Sequence, residues 1–230
     1  MGVLFVGGVT LGYAALVVGI HRLVVARRRA FADGYPTLRR LDWDTLLSGV
    51  GSATPGQAAL LTTLREGGAP RQEDFEQAGF SGGEVRWLTL LASLVEEPWR
   101  VISELSRRPP ETVAQLYLRE WLALEHEVNP FNLELASFGS KLRINRALRH
   151  FGEQPALYFI RARASALLGF NAQVVDDLAR AVYFSGQSPF YLRAVTDAPF
   201  IGELRPPLMR ACREAGAPDN AGEGDADASS

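Results

Sequence analysis

The chain has 230 residues and a formal net charge of −2 at pH 7, and its charges are unevenly distributed. Residues 41–230 hold 18 basic and 25 acidic side chains, so this part lacks the basic surface that a nucleic-acid partner requires. The single cysteine, Cys212, excludes an intramolecular disulfide and a cysteine-based zinc site, and its apolar neighbours predict a small core residue. One lysine, Lys141, stands against 23 arginines, a bias that indicates a GC-rich bacterial genome.

The N-terminal segment predicts a membrane anchor. From Gly2 to Ile20 no side chain is charged, and a run that includes Arg27-Arg28-Arg29 follows directly. Nineteen residues in a helix rise about 28 Å, close to the hydrocarbon thickness of a bilayer. Because arginine is retained on the cytoplasmic side, we expect a single-pass inner-membrane protein with its N-terminus outside and its soluble domain in the cytoplasm.

Other interpretations of this segment stay open. A cleaved signal peptide carries its positive charge before the apolar stretch, whereas here the charge follows it. A soluble or interfacial helix has a polar face, which this run lacks. Gly8 and Gly12 form a GxxxG spacing that Gly19 continues, so packing of transmembrane helices, including a homodimer, is a further hypothesis.

Downstream of the anchor the hydrophobic spacing is helical, and no alternating strand pattern occurs. The sequence therefore predicts an all-α protein: a transmembrane helix followed by a helical solenoid or bundle. Trp43, Leu46 and Leu47 predict a short helical turn that docks on the domain. The predicted division is a transmembrane anchor (1–25), a basic juxtamembrane segment and linker (26–54), a helical N-terminal part of the soluble domain (55–110), a repeat-like helical region (111–215) and a disordered acidic tail (216–230).

Helix start and stop signals follow one another between residues 54 and 128. In the helix that Pro98 opens, we expect Trp99, Ile102 and Leu105 to face inward. The signals predict helices over Pro55–Arg65 with Thr54 as N-cap, over about Gln72–Ala78, from a Ser81–Glu84 capping box to about Val95, from Pro98 to Pro109, and over about Glu111–Val128, the longest.

The last hundred residues repeat with a period near 34. Pro155 and Pro189 are separated by this interval, and the offset continues through Leu178 to Cys212. A period of this length, with two helices per unit, is typical of tetratricopeptide arrays.

Within residues 155–188 the details agree with such a unit. The small residues Ala162 and Ala181 allow two helices to pack closely, and Gly169 predicts a left-handed cap between them. The chain resembles a tetratricopeptide-like helical repeat protein over residues 111–215, and this resemblance implies a solenoid with a concave surface that binds a partner. Leu178 stands where the family has an aromatic residue, so the interpretation of this region as an unrelated α-bundle with accidental periodicity stays open.

A search for catalytic or metal-binding motifs finds none. Glu125-His126-Glu127 lacks the HExxH spacing that places two histidines on one helix face, and His150 near a helix end predicts a structural role. No nucleophile elbow or phosphate-binding glycine motif occurs. We therefore expect no enzyme, no cofactor and no metal. Residues 58–95 loosely resemble a DNA-binding helix-turn-helix, but the candidate recognition helix offers only Arg86 to base edges.

These observations favour a membrane-anchored adaptor that binds a cytoplasmic protein through its helical repeats. The residues expected at the binding surface are Arg161, Asn171 and Arg180, which we predict to be exposed, with the arginines pairing with partner carboxylates. The alternative is a structural subunit of a membrane complex that associates through its transmembrane helix.

Overall fold

The computed structural model describes residues 17–19, 22–23, 40–51, 53–126, 130–196 and 205–216. Within these ranges every regular element is a helix and no strand is present, which confirms the predicted all-α class. No helix of this described part is both long enough and apolar enough to cross a membrane. The predicted anchor over residues 1–25 falls almost entirely outside the described residues, as do residues 217–230 of the predicted tail.

The chain divides into two compact units, which are Leu41–His126 and the combination of Met1–Arg40 with Glu127–Ser230. In the first unit, local capping sets the helix starts: the side chains of Thr54 and Gln57 each accept a hydrogen bond from the other's backbone N–H, and Ser81 and Glu84 repeat the arrangement. Both starts agree with the prediction. The helices are α1 (Trp43–Leu47), α2 (Pro55–Arg65), α3 (Gln72–Gln77), α4 (Gly82–Ala92), α5 (Pro98–Ser106) and α6 (Val113–His126).

Helix α1 is part of the first unit and not of a linker. The side chain of Leu46 is fully buried. The backbone N–H of Asp42 donates to the Tyr117 hydroxyl over 3.0 Å, and the Trp87 indole donates to the Leu46 carbonyl over 2.8 Å. These contacts confirm the docking turn and extend the folded unit back to residue 41.

Three sequence-based expectations in this region are wrong. Trp99 is 65 % exposed, because Val101 supplies the buried contact of α5. The boundary between units lies after His126 and not at 110–111, because α6 packs on α1 and α5. Helix α6 has 14 residues and is not the longest helix of the described residues.

The second unit contains the longest helix of the described residues. Successive helices pack on one another, α7 on α8, α8 on α9 and α9 on both α10 and α11. Two helix pairs are offset by 34 residues. The first helices of the two pairs begin at Pro155 and Pro189, and the second helices begin at Asn171 and Arg205. The helices are α7 (Pro130–Phe151, 22 residues), α8 (Pro155–Leu168), α9 (Asn171–Phe184), α10 (Pro189–Thr196) and α11 (Arg205–Gly216).

The turn between α8 and α9 has the predicted form. Gly169 ends α8 with φ 75° and ψ 24°, in the left-handed region, and the Phe170 N–H closes the turn by donating to the Ser165 carbonyl over 2.9 Å. Ala162 and Ala181 are fully buried, as expected for residues at a close helix contact.

Candidate functional site

Helix α7 presents an apolar stripe to solvent. Leu135, Phe138 and Leu142 are 72 %, 54 % and 47 % exposed, and their spacing of three and four residues places them on one helix face. The opposite face, which includes Leu133 and Ile144, is buried, and α7 packs on α8. Three adjacent large apolar side chains on one exposed face are typical of an interaction surface rather than of scattered surface residues.

Two arginines continue this stripe toward the end of α7. Arg146 and Arg149 are exposed and follow Leu142 at intervals of four and three residues, so they share its side of the helix. The Arg149 Nε donates to the Asn145 carbonyl one turn earlier over 3.3 Å. The exposed face of α7 therefore changes along its length from apolar to positively charged.

A buried ion pair lies where α7, α8 and α9 meet. The Arg161 guanidinium donates to both carboxylate oxygens of Asp177, with its Nε 3.1 and 3.0 Å from Oδ1 and Oδ2. A second arginine nitrogen donates to the Asn145 side-chain oxygen over 2.6 Å. The Asp177 side chain is fully buried and that of Arg161 is 13 % exposed. Burial raises the pKa of Asp177, and the guanidinium opposes this shift.

Lys141 lies beside this ion pair and is only 9 % exposed. Its ammonium donates to the Gln173 side-chain oxygen over 2.5 Å and lies 4.2 Å from the centroid of the Phe170 ring, an arrangement that permits a cation–π interaction. Burial lowers the pKa of Lys141; the carboxylate of Asp177 opposes this shift and the charge of Arg161 adds to it. The three charged groups thus interact electrostatically in a largely dehydrated environment.

An aromatic cluster adjoins the ion pair on its other side. The guanidinium carbons of Arg161 and Arg180 lie 5.0 and 5.5 Å from the Tyr158 ring centroid. The Phe184 ring stacks on Tyr158 with centroids 5.7 Å apart and an interplanar angle of 9°. The Tyr158 hydroxyl donates to a Glu153 carboxylate oxygen. Tyr158 therefore joins the two arginines that the sequence analysis singled out.

The predicted partner-binding residues differ in their surroundings. The expectation that Arg161 is exposed is wrong, because its guanidinium is held by buried Asp177 and by Asn145. Asn171 is exposed at the first position of α9. Arg180 is exposed, and its Nε donates to Asp176 one turn earlier over 3.0 Å. The structure thus joins the two arginines through Tyr158 and assigns Arg161 a structural contact.

The predicted packing residues of the anchor are only partly described. Gly8 and Gly12 lie outside the described residues. Gly19 lies in the helical stretch 17–19, and apart from its chain neighbours and its own helix backbone no atom of the described residues lies within 4 Å of the position that a Cβ would occupy there.

Sequence analysis missed the α7 face and Lys141. Leu135, Phe138 and Leu142 have helical spacing, but the helices that capping and breaker signals predict between residues 54 and 128 end before this segment. As the single lysine of the chain, Lys141 indicates only codon bias at the level of sequence. The signal that points to this face is the helical spacing of apolar residues between Pro130 and Gly152. These two helix breakers mark the limits of a helix of about six turns.

Two cavities lie away from the α7 face and the ion pair. A cavity of about 420 Å³ in the first unit is mainly apolar and includes Trp43 and Trp121 in its lining. A cavity of about 300 Å³ in the second unit includes Val182, Met209 and half-buried Cys212, and burial raises the pKa of that thiol. The part of the chain that the structure describes contains no cluster of three metal-ligating side chains.

Comparison with protein-family models, with curated proteins and with solved structures finds no match to this chain. The function is therefore inferred from the residues and their geometry.

Proposed function

We propose that this protein is a membrane-tethered interaction module whose α7 face binds an amphipathic segment of a cytoplasmic partner protein. The observation that carries the proposal is the exposed stripe of Leu135, Phe138 and Leu142. Burial of apolar area contributes about 25 cal/mol per Å², so covering three such side chains is a substantial driving force for association. A segment with apolar side chains at helical spacing complements this stripe.

The charges of α7 specify the chemistry of the partner. Arg146 and Arg149 continue the apolar stripe along the same exposed side, so the bound segment is expected to carry acidic residues at the corresponding end. Such charge complementarity sets orientation and speeds association more than it raises affinity. The partner is thus a protein segment that is apolar at one end and acidic at the other.

The helix arrangement supports a repeat-like scaffold for this surface. Two helix pairs begin 34 residues apart, and α9 packs on both the preceding and the following helices. Stacked helix pairs expose extended surfaces that are suited to binding other chains. We retain the tetratricopeptide-like organisation as part of the proposal.

The membrane tether rests on the sequence of residues 1–25, which is uncharged up to Ile20 and is followed by Arg27-Arg28-Arg29. A tether raises the effective concentration of the module for any partner at the same membrane. We therefore place the α7 surface at the cytoplasmic face of the inner membrane.

Site-specific photocrosslinking tests the proposal in intact cells. A photoreactive phenylalanine analogue replaces Phe138 in the full-length chain, and a matched variant carries it at Asp176, an exposed position on α9. We expect a protein adduct from position 138 alone, with the crosslinked peptide carrying apolar residues at helical spacing and at least one acidic residue. The double variant Arg146→Glu with Arg149→Glu should reduce this adduct about tenfold, because it places like charges opposite the acidic end of the bound segment.

Three outcomes contradict the proposal. Adducts to lipid alone would make the α7 face a membrane-contact surface. Equal adducts from positions 138 and 176 would show non-specific collisions. If position 138 forms no adduct while a complex survives detergent extraction and depends on Gly12, the protein is a structural subunit that associates through its N-terminal helix.

A further inference from the structure

We propose that Lys141 is the receptor for a carboxylate of the segment that binds to α7, an inference that rests on the proposed function and names the group that the site recognises. The docked acidic side chain would reach past Phe138 and Leu142 to the buried ammonium. Lys141 follows Phe138 by three residues and precedes Leu142 by one, so it lies on the flank of the apolar stripe.

The ammonium of Lys141 has more hydrogen-bond donors than acceptors among the described residues. An ammonium has three N–H donors, and among the described residues Gln173 is the hydrogen-bond acceptor that contacts it, at 2.5 Å. The centroid of the Phe170 ring lies 4.2 Å from the ammonium nitrogen and permits a cation–π interaction. The other N–H donors have no hydrogen-bond acceptor among the described residues although the side chain is nine-tenths buried, so a carboxylate oxygen that reached them would satisfy them.

The local charge balance favours an incoming anion. Lys141, Arg161 and Asp177 interact electrostatically, and together they comprise two cations and one carboxylate. Arg161 already engages both oxygens of Asp177, so this one carboxylate is shared between the guanidinium and the ammonium. A dehydrated excess positive charge is unfavourable, and a ligand carboxylate would neutralise it.

Access to the ammonium distinguishes a protein carboxylate from a membrane phosphate. Lipid phosphates lie in a broad surface layer, whereas the Lys141 side chain is 9 % exposed and partly covered by the Phe170 ring. A glutamate or aspartate on a docked peptide can extend its narrow carboxylate into such a site. The geometry thus favours an acidic peptide side chain over a bilayer surface.

The single lysine of the chain permits a direct test. Full-length protein in detergent micelles, labelled with ¹³C only in lysine, gives one set of side-chain NMR signals, all from Lys141. We titrate it with N-acetylglutamate amide, with N-acetylglutamine amide as the uncharged control and with inorganic phosphate as the competing anion. We expect a saturable shift of the Lys141 Cε signal with the glutamate compound alone.

A double-mutant cycle tests the same contact in the complex. A synthetic peptide of the segment crosslinked at position 138 is measured against the wild type and Lys141→Met, with each acidic residue of the peptide changed in turn to its amide. For one residue, we expect the peptide change to weaken binding to the wild type about 10- to 100-fold and to have little effect on Lys141→Met. Folding of the variant is checked by circular dichroism.

The outcomes separate this inference from the proposed function. Two outcomes would disprove the carboxylate contact and leave the α7 surface in place. In one, the peptide binds but the effect of every peptide change is additive with that of Lys141→Met. In the other, the glutamate compound leaves the Lys141 signal unchanged. An equal response to phosphate would make Lys141 a general anion site and overturn the assignment. Failure to obtain any adduct at position 138 refutes the proposed function itself.

Discussion

At the residue scale, the charged groups of the second unit fall into two classes that sequence alone cannot separate. Arg161 pairs with fully buried Asp177, whereas Arg180 pairs with exposed Asp176. Breaking a buried pair leaves an uncompensated charge in a low-dielectric environment, and breaking an exposed pair leaves a hydrated one. The two arginines therefore suit different experiments, and Arg161→Glu is not a surface probe because it would place a second carboxylate beside Asp177.

We predict that Arg161→Met lowers the free energy of unfolding by about 3–5 kcal/mol, because it leaves the Asp177 carboxylate buried without its guanidinium partner. The matched variant Arg180→Gln removes an exposed pair and should cost at most about 1 kcal/mol. Urea unfolding followed by circular dichroism measures both. Equal losses in the two variants would show that the buried pair has no special role.

The lowered pKa of Lys141 predicts that the free energy of unfolding depends on pH. Burial lowers the pKa of Lys141 below its ordinary value of 10.5, so between the lowered pKa and 10.5 the unfolded chain binds more protons than the folded one. Stability must therefore rise with pH across this window. We expect the wild type to gain stability relative to Lys141→Met as the pH rises toward 10.5. Urea titrations of both proteins at several pH values measure this, and parallel profiles would contradict the expectation.

At the element scale, α7 performs two tasks. One side supplies buried residues such as Ile144 and packs on α8, and the other exposes Leu135, Phe138 and Leu142. A helix that is apolar on both sides needs a second partner for the side that its own fold leaves uncovered. The turn between α8 and α9 also affects α7. Phe170 follows Gly169 directly, and its ring contacts Lys141 of α7.

We predict that Gly169→Ala destabilises the protein by about 1–2 kcal/mol, because a side chain at φ 75° meets the steric cost of the left-handed conformation. Gly169→Asn should lose less, since asparagine tolerates this conformation better than alanine. Thermal unfolding of the two variants provides the comparison. If alanine is tolerated as well as asparagine, the left-handed cap does not contribute to stability.

At the scale of the whole molecule, the division after residue 126 has a testable consequence. The unit Leu41–His126 contains its own set of fully buried side chains, among them Leu46, Phe75, Leu88 and Leu118. A segment with its own core is able to fold alone. Its first helix, α1, contributes Leu46 and the hydrogen bond from Asp42 to Tyr117.

We predict that a fragment of residues 41–126 folds into a helical unit with a cooperative thermal transition. A fragment of residues 55–126, which lacks α1, should unfold at a lower temperature because the site of Leu46 is left empty and the Tyr117 hydroxyl loses the hydrogen bond from the Asp42 N–H. Circular dichroism melting curves measure both. Equal melting temperatures would return residues 41–54 to the status of a linker.

Local features of the fold were predictable because their causes lie within a few residues. The caps at Thr54 and Ser81 and the left-handed turn at Gly169 all depend on backbone groups within about four positions. Of the candidate site, the sequence supplied Arg180 and Asn171 as exposed residues. It did not predict the α7 stripe, because the long helix from Pro130 to Phe151 is not among the helices that the sequence signals define.

The sequence by itself determined the all-α class, the helix boundaries that capping controls and the apolar composition of the N-terminal segment. Only the tertiary structure decided that Trp99 is exposed, that Arg161 is held by Asp177 and that Lys141 is buried beneath Phe170. The physical reason is one of range. Helix starts and turns follow from neighbouring residues, whereas burial and charge pairing depend on side chains that packing brings together from distant parts of the chain.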